Sequence, residues 1–307
     1  MLKYLLLIIG FFLLIKGADV FVEGSASVAG LLKIPSLIIG LTVVSMGTSA
    51  PEAAVSITAA IDNSEAIAVS NVIGSNIFNI LIVAGACALI KPVVVNSSII
   101  KRDLPFCIGA TLTVLILSFN RAFSRIDGII MLLLFISYMV MMVVSGIRSK
   151  NDSDEEYKIM SPVKSLVYIV IGIAAVVLGG NLVVDNSVLI AQSFGVSETI
   201  IGLTIISVGT SLPELVTSIV ATRKGQTDIA LGNAIGSCIF NVIFILGASS
   251  AINPIAFEMN SVFDIAVSLA VAVLALVFTA RDKKLNRFQG IIFVLAYAVY
   301  LVFIFIR

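Results

Sequence analysis

The chain of 307 residues contains no histidine and only three cysteines. Zinc and copper sites in proteins are built mainly from imidazole and thiolate ligands, so this composition argues against either metal. The cysteines, Cys87, Cys107 and Cys238, are far apart and lie inside apolar segments. We therefore interpret them as small packing residues and expect neither a disulfide nor a cysteine-bound metal.

Charged residues are also scarce in the chain. They make up 12% of it and the formal net charge is +1, so no basic surface is available for nucleic acid. The phosphate-binding sequence G-x-x-x-x-G-K-[ST] does not occur, so nothing indicates ATP as an energy source. We expect no nucleic-acid partner and no bound cofactor, and no obligate protein partner is evident.

Apolar residues, by contrast, make up 59% of the chain and give a mean hydropathy of +1.15. A soluble domain of this length could not cover so much apolar surface, so the sequence predicts an integral membrane protein in contact with the lipid bilayer. Ten apolar runs have about the length needed to cross ~30 Å of hydrocarbon. They lie roughly at 2–30, 36–61, 65–90, 103–120, 126–147, 164–191, 197–221, 228–252, 262–280 and 287–306.

The two halves of the chain repeat each other. Gly40, Glu52, Asn71 and Gly128 each recur 162 residues later as the same residue type, which leaves no insertion or deletion between them. Each half contains an odd number of predicted spans, so the second half must enter the membrane from the opposite side. The sequence thus predicts an all-α polytopic membrane protein with ten transmembrane helices, arranged as two inverted-topology repeats of five.

The repeats are predicted at 1–147 and 164–307, joined by a hydrophilic linker at 148–163. The first apolar run follows Lys3 like a signal peptide, but it has a counterpart before Gly179, so we expect a retained helix. One set of alternate loops holds fourteen Lys and Arg residues and the other set holds four. By the positive-inside rule, the linker is cytoplasmic and both termini lie on the extracytoplasmic face of the cell membrane.

Two polar stretches occupy equivalent positions within this apolar sequence. Residues 40–52 read G-L-T-V-V-S-M-G-T-S-A-P-E, and residues 202–214 read G-L-T-I-I-S-V-G-T-S-L-P-E. A carboxylate at the membrane midplane costs about 2.5–3.5 kcal/mol on insertion scales. Lys16 is the only cation well inside a predicted span, so Glu52 and Glu214 have no evident ionic partner. We interpret both glutamates as functional residues.

A proline precedes each glutamate. Pro51 and Pro213 lack an N–H and clash with the carbonyl four residues earlier, so each predicts a broken helix with freed carbonyl groups. Irregular backbone at membrane depth is tolerated where it lines a cavity or is buried in protein. Freed carbonyls beside a carboxylate are suitable ligands for a hard cation.

Hydroxyl and amide side chains recur at helical spacing around the glutamates. The four polar stripes are Ser45, Ser49, Glu52 and Ser56; Ser207, Ser211, Glu214 and Ser218; Asn71, Ser75 and Asn79; and Asn233, Ser237 and Asn241. Such oxygen-only ligands favour Ca²⁺ or Na⁺, whereas Mg²⁺ gives up its water reluctantly. The sequence therefore indicates an oxygen-lined cation site and transport driven by an ion gradient.

At these residues the chain resembles the calcium/cation antiporter superfamily, whose two repeats carry G-T-S-x-P-E and G-S-x-x-x-N/D motifs. It is most similar to the prokaryotic sodium/calcium exchanger branch, which implies exchange of Ca²⁺ for Na⁺ and no enzymatic activity. Potassium-dependent members have Asp at the position of Asn241, so the resemblance implies a potassium-independent site with at most two negative charges.

The resemblance also implies a set of ligands. For Ca²⁺ these are the Glu52 and Glu214 side chains with the main-chain carbonyls of Thr48 and Thr210. For Na⁺ they are drawn from Ser49, Ser75, Ser211, Ser237 and the carbonyls of Ser45 and Ser207, with Asn79 and Asn241 beside the central site.

Three alternatives stay open on the sequence. A proton/calcium antiporter of the same superfamily would have a similar site. An intramembrane hydrolase would need paired aspartates or a nucleophile with a base, whereas Asp127 stands alone at a predicted helix start. A passive channel must let its ion leave quickly, which two buried carboxylates do not favour.

The charge asymmetry of the loops gives a topology that labelling can test. A cysteine introduced at Ser153, in the linker, is expected to react with a membrane-impermeant thiol reagent only when the cytoplasmic face is accessible. The experiment compares intact cells with inverted vesicles. Labelling of intact cells would reverse the predicted orientation.

Overall fold

The computed structural model describes residues 2–119, 122–148, 159–195, 207–257 and 259–306, which are predominantly helical. The helices are α1 (Leu2–Leu32), α2 (Ser36–Thr48), α3 (Ala50–Ile61), α4 (Glu65–Phe78, Asn79–Ala84 and Gly85–Ile90), α5 (Ile99–Asp103 and Leu104–Ser118), α6 (Arg125–Arg148), α7 (Pro162–Ser193), α8 (Ser207–Gly209), α9 (Leu212–Arg223), α10 (Thr227–Ile252), α11 (Met259–Asp282) and α12 (Arg287–Ile306). Four two-residue strands lie in the connections: β1 (Val93–Val94), β2 (Ala122–Phe123), β3 (Ile255–Ala256) and β4 (Lys284–Leu285).

Helix length and hydropathy confirm the prediction of an all-α polytopic membrane protein. Within the described ranges, seven helices are long and apolar enough to cross a membrane, and α2 with α3, bent by 51°, makes eight if the pair is counted as one span. The first part of the predicted seventh span and most of the predicted linker lie outside the described residues. The count of ten spans therefore stays a prediction.

The strands show how the two repeats are placed. Val93 of β1 pairs with Leu285 of β4, and Phe123 of β2 pairs with Ile255 of β3, both antiparallel. By the 162-residue offset, β1 is equivalent to β3 and β2 to β4. Because β1 and β2 lie at opposite ends of α5, the pairing of β3 with β2 puts the equivalent strands β1 and β3 at opposite ends of the bundle. This is the inverted topology that the odd number of spans predicts.

Glycines allow the long helices α1 and α7 to cross closely. A Cβ added at Gly17 would lie 2.7 Å from Ala175 Cβ, and one at Gly172 would lie 2.7 Å from the Phe21 main chain. Lipid provides no hydrophobic force between helices, so association depends on such close packing of small residues. The pair α1–α7 is thereby held along much of its length.

A second glycine contact joins the repeats beside the polar stretches. A Cβ added at Gly40 of α2 would lie 2.8 Å from the main-chain oxygen of Ile229 on α10. One added at Gly232 would lie 2.9 Å from the main-chain oxygen of Leu37. The backbones of α2 and α10 therefore touch directly, which leaves no space for any side chain at these two positions.

In the part of the chain that the structure describes, four helices contain π-helical turns that hydrophobic periodicity does not reveal. They lie at Gly40–Val44, Asn79–Ala84, Ile99–Asp103 and Phe240–Ile245. A π-helical turn inserts one residue into a helix and frequently marks a functional site. Two of these turns contain the equivalent residues Asn79 and Asn241, so the turns shift the register of α4 and α10 beside the polar stripes.

The direct backbone contact predicts the effect of one added methyl group. Gly232→Ala should lower the thermal unfolding midpoint of the detergent-purified protein, since overpacking a close contact costs about 1–3 kcal/mol. Gly109→Ala is the matched control, because a Cβ at Gly109 meets no atom within 4 Å. Equal midpoints for the two variants would show that α2 and α10 are not in contact.

Candidate ion-binding site

The two glutamates lie where their helices restart after a break. Ser49, before α3, has φ −81° and ψ 10°, and Ser211, before α9, has φ −90° and ψ 6°. Neither pair of angles is helical, and the following proline occupies the first turn, where its missing N–H costs nothing. Glu52 and Glu214 therefore lie in the first turn of α3 and α9, where the positive end of the helix dipole favours a carboxylate.

Both glutamate side chains are completely buried, with 0% exposure. Neither forms an ion pair with a Lys or Arg of the part of the chain that the structure describes. An isolated buried carboxylate is expensive, so each needs hydrogen-bond donors or a cation. The surroundings of the two glutamates supply donors, but only for one oxygen of each carboxylate.

The shortest hydrogen bond to each carboxylate comes from a serine of the opposite repeat. Ser49 Oγ of the first repeat donates to Glu214 Oε1 at 2.7 Å, and Ser211 Oγ of the second repeat donates to Glu52 Oε1 at 3.0 Å. Ser237 Oγ adds a longer bond of 3.5 Å to Glu214 Oε1, while Ser75 Oγ lies 3.0 Å from Ser211 Oγ. The structure thus brings four predicted serines together with the two glutamates in one site.

Several buried polar atoms of the predicted site residues have no partner among the described residues. Oε2 of Glu52 and Oε2 of Glu214 are unpartnered, as are both side-chain polar atoms of Asn79 and Oδ1 of Asn241. A buried polar atom without a hydrogen bond costs roughly 1–3 kcal/mol. Free oxygens on two carboxylates and two amides are the donor set that hard cations use. The site therefore fits a cation such as Ca²⁺ or Na⁺.

Two asparagines outside the predicted ligand set hold the broken helices in place. Asn71 Nδ2 donates to the main-chain oxygen of Glu52 at 3.2 Å, and Asn233 Nδ2 donates to that of Glu214 at 3.3 Å. The same amide groups reach Ser56 Oγ at 2.9 Å and Ser218 Oγ at 3.0 Å. Asn71 and Asn233 each precede a site serine by four residues, which places them on the same helix face. That spacing was the signal in the sequence that could have identified their bracing role.

The structure shows contacts for three of the remaining predicted residues and does not describe the side chain of the fourth. Thr48 Oγ1 donates to Asn233 Oδ1 at 2.9 Å, and Thr210 Oγ1 donates to Asn71 Oδ1 at 3.4 Å, so both threonines lie beside the asparagines that brace the helices. The main-chain oxygen of Ser45 accepts a bond of 3.5 Å from Ser237 Oγ. The side chain of Ser207 lies outside the described residues.

Helices α1 and α7 cover the breaks. A Cβ added at Gly47 would lie 2.9 Å from Ile173 Cδ1 and 3.1 Å from Phe21 Cζ, and one at Gly180 would lie 3.3 Å from Pro213 Cγ. The pair α1–α7 therefore packs directly against the chain around both helix breaks. No contact of this kind was evident from the sequence, because it depends on tertiary packing.

Comparisons with known proteins agree with this geometry. The sequence profile of a family described as "Sodium/calcium exchanger protein" matches residues 2–144 and 164–306. The sodium/calcium exchanger MaX1 of Methanosarcina acetivorans is 32% identical over 344 residues, which cover 99% of this chain and 98% of MaX1. The inner membrane protein YrbG of Escherichia coli is 34% identical over 315 residues, covering 98% of this chain and 96% of YrbG. The solved structure of the sodium-calcium exchanger NCX_Mj, soaked with zero Na⁺ and Ca²⁺, matches with a TM-score of 0.87 and 33% identity over 99% of both chains.

Proposed function

The chain belongs to the sodium/calcium exchanger family, a family of transporters and not of enzymes, and we propose that it exchanges Ca²⁺ for Na⁺ across the cell membrane by alternating access. The observation that carries this proposal is the pair of fully buried glutamates, each with one free oxygen. Ions cannot reach such a site without movement of the protein. A site open to one side of the membrane at a time couples the flux of one ion to that of the other.

The proposed Ca²⁺ ligands are the free oxygens of Glu52 and Glu214, with the main-chain carbonyls of Thr48 and Thr210. Na⁺ would be held by the surrounding hydroxyl and carbonyl oxygens. These are the side chains of Ser49, Ser75, Ser211 and Ser237 and the carbonyls of Ser45 and Ser207, with Asn79 and Asn241 nearby. Hydrogen bonds that link the four serines to both carboxylates support this arrangement.

Charge balance is the proposed basis of coupling. With Asn79 and Asn241 uncharged, one Ca²⁺ neutralises the two carboxylates, whereas three Na⁺, the number that the resemblance suggests, leave one positive charge. An empty site keeps two like charges in a low-dielectric interior, so its closure is unfavourable. Only the ion-loaded carrier should change its orientation, and exchange should be electrogenic and independent of K⁺.

We further propose that 1–147 and 164–307 are the two membrane repeats, joined by a cytoplasmic linker at 148–163. The pairing of β1 with β4 supports the placement of two loops rich in Lys and Arg, between α4 and α5 and between α11 and α12, on the same face of the membrane. In addition, Arg287 of the second loop donates to the main-chain oxygen of Ile90 at 3.5 Å. By the positive-inside rule this face is cytoplasmic, and both termini lie outside.

Removing either carboxylate charge tests the central claim. Glu52→Gln and Glu214→Gln are each expected to lower ⁴⁵Ca²⁺ uptake into Na⁺-loaded proteoliposomes by more than about tenfold, because Ca²⁺ prefers ionised ligands and each repeat supplies one. Glu156→Gln, in the predicted linker, is the charge-matched control and should transport normally. Uptake near the wild-type level by either site variant would show that its carboxylate does not bind Ca²⁺.

The coupling ion and the charge moved are tested in the same vesicles. Uptake of ⁴⁵Ca²⁺ should require internal Na⁺, and neither internal K⁺ nor an acidic interior should replace it. Because three Na⁺ leave as one Ca²⁺ enters, an inside-positive potential should accelerate uptake and an inside-negative one should slow it. Uptake driven by protons would identify a proton/calcium antiporter, and uptake without any trans ion would identify a channel.

A further inference from the structure

Two equivalent residues of different type meet between the repeats. Asn76 of α4 and Cys238 of α10 are 162 positions apart and are 1% and 0% exposed. Asn76 Nδ2 donates to the main-chain oxygen of Cys238 at 3.1 Å, and Cys238 Sγ donates to the main-chain oxygen of Asn76 at 3.7 Å. Each side chain thus contacts the other's backbone, as expected where a pseudo-two-fold axis passes between them.

Asn76 has a second contact that Cys238 cannot reproduce. Its Oδ1 accepts a hydrogen bond from Asn241 Nδ2 at 3.1 Å. Turning the Asn241 amide by 180° would place its oxygen against the Asn76 oxygen and break this bond. The Asn241 amide is therefore fixed with Nδ2 toward Asn76 and Oδ1 away from it, and this oxygen has no partner among the described residues.

Asn79, the residue equivalent to Asn241, is held differently. Neither its Nδ2 nor its Oδ1 has a partner in the described part of the chain. At the position equivalent to Asn76 stands Cys238, whose S–H is already directed to a backbone oxygen and whose sulfur is a weak acceptor. No hydrogen bond opposes rotation of the Asn79 amide.

We propose that Asn76 is a positioning residue that makes the two halves of the cation site unequal. It fixes the Asn241 amide with its oxygen toward the bound cation, whereas the Asn79 amide can turn either its oxygen or its NH₂ toward the cation. A cation accepts only the oxygen, so Asn79 contributes less to binding than Asn241. The inference rests on the proposed function insofar as a cation binds here, but not on which ion drives transport.

Na⁺ binding by the full-length protein in detergent tests this inference directly. The readout is the half-saturating Na⁺ concentration for thermal stabilisation, measured without Ca²⁺. Asn241→Ala should raise it more than Asn79→Ala does, by roughly twofold, because only one of the two orientations of the free Asn79 amide presents an oxygen to the cation. Asn186→Ala, which removes a buried amide bonded only to its own helix, should leave it unchanged.

Exchange of the two equivalent residues is the decisive second step. In the double variant Asn76→Cys with Cys238→Asn, the orienting amide lies opposite Asn79, so Asn79→Ala should now be the more damaging substitution. A purely structural role of Asn76 would not reverse this order. Equal effects of the two alanine variants in the wild-type background, an unchanged order in a folded double variant, or no Na⁺-dependent stabilisation of the wild type would overturn the inference. Should the double variant not fold, the wild-type comparison alone decides between these outcomes.

These results are distinguishable from a failure of the proposed function. Na⁺ binding with the predicted order of variants but no Na⁺-driven uptake would contradict Na⁺ exchange and support the positioning role. Na⁺-driven uptake with equal effects of Asn79→Ala and Asn241→Ala would support exchange and contradict the positioning role.

Discussion

The burial of two carboxylates without a Lys or Arg partner among the described residues is the constraint on which the rest of the structure depends. A carboxylate in an apolar bundle costs free energy, so evolution would replace each glutamate if it had no role. Each one lies where a helix restarts and has one oxygen bonded to a serine. The proline breaks, the serines and the bracing asparagines all serve this pair. One oxygen of each carboxylate is stabilised by a serine, and the other has no partner among the described residues.

Sequence reasoning was sufficient where the relevant physics is local. Apolar length predicts spans, proline chemistry predicts the break before Glu52 and Glu214, and a constant offset predicts the repeat. The bend of 51° between α2 and α3 confirms the break before Glu52, and the pairing of β2 with β3 confirms the inverted arrangement of the repeats. Loop charges predict orientation only by a statistical rule, so the placement of the termini stays a prediction.

The sequence could not predict interactions that depend on how the repeats meet. Helical spacing places Ser49 on the same stripe as Glu52, yet its hydroxyl donates to Glu214 of the other repeat. The π-helical turn at Asn79 changes the register of α4 by a backbone rearrangement that leaves no compositional trace. The contact between Asn76 and Cys238 likewise requires the pseudo-two-fold axis, which is a property of the folded chain.

The strand pairs have a mechanical consequence. β1 with β4 and β2 with β3 tie loops of the first repeat to loops of the second at both ends of the bundle. These two clasps resist separation of the helices to which they are joined, α4 to α6 and α10 to α12. Within the described residues, α1 and α7 carry no strand and pack on the breaks through glycines and isolated side chains. A rigid-body displacement of α1 and α7 would therefore leave both clasps intact.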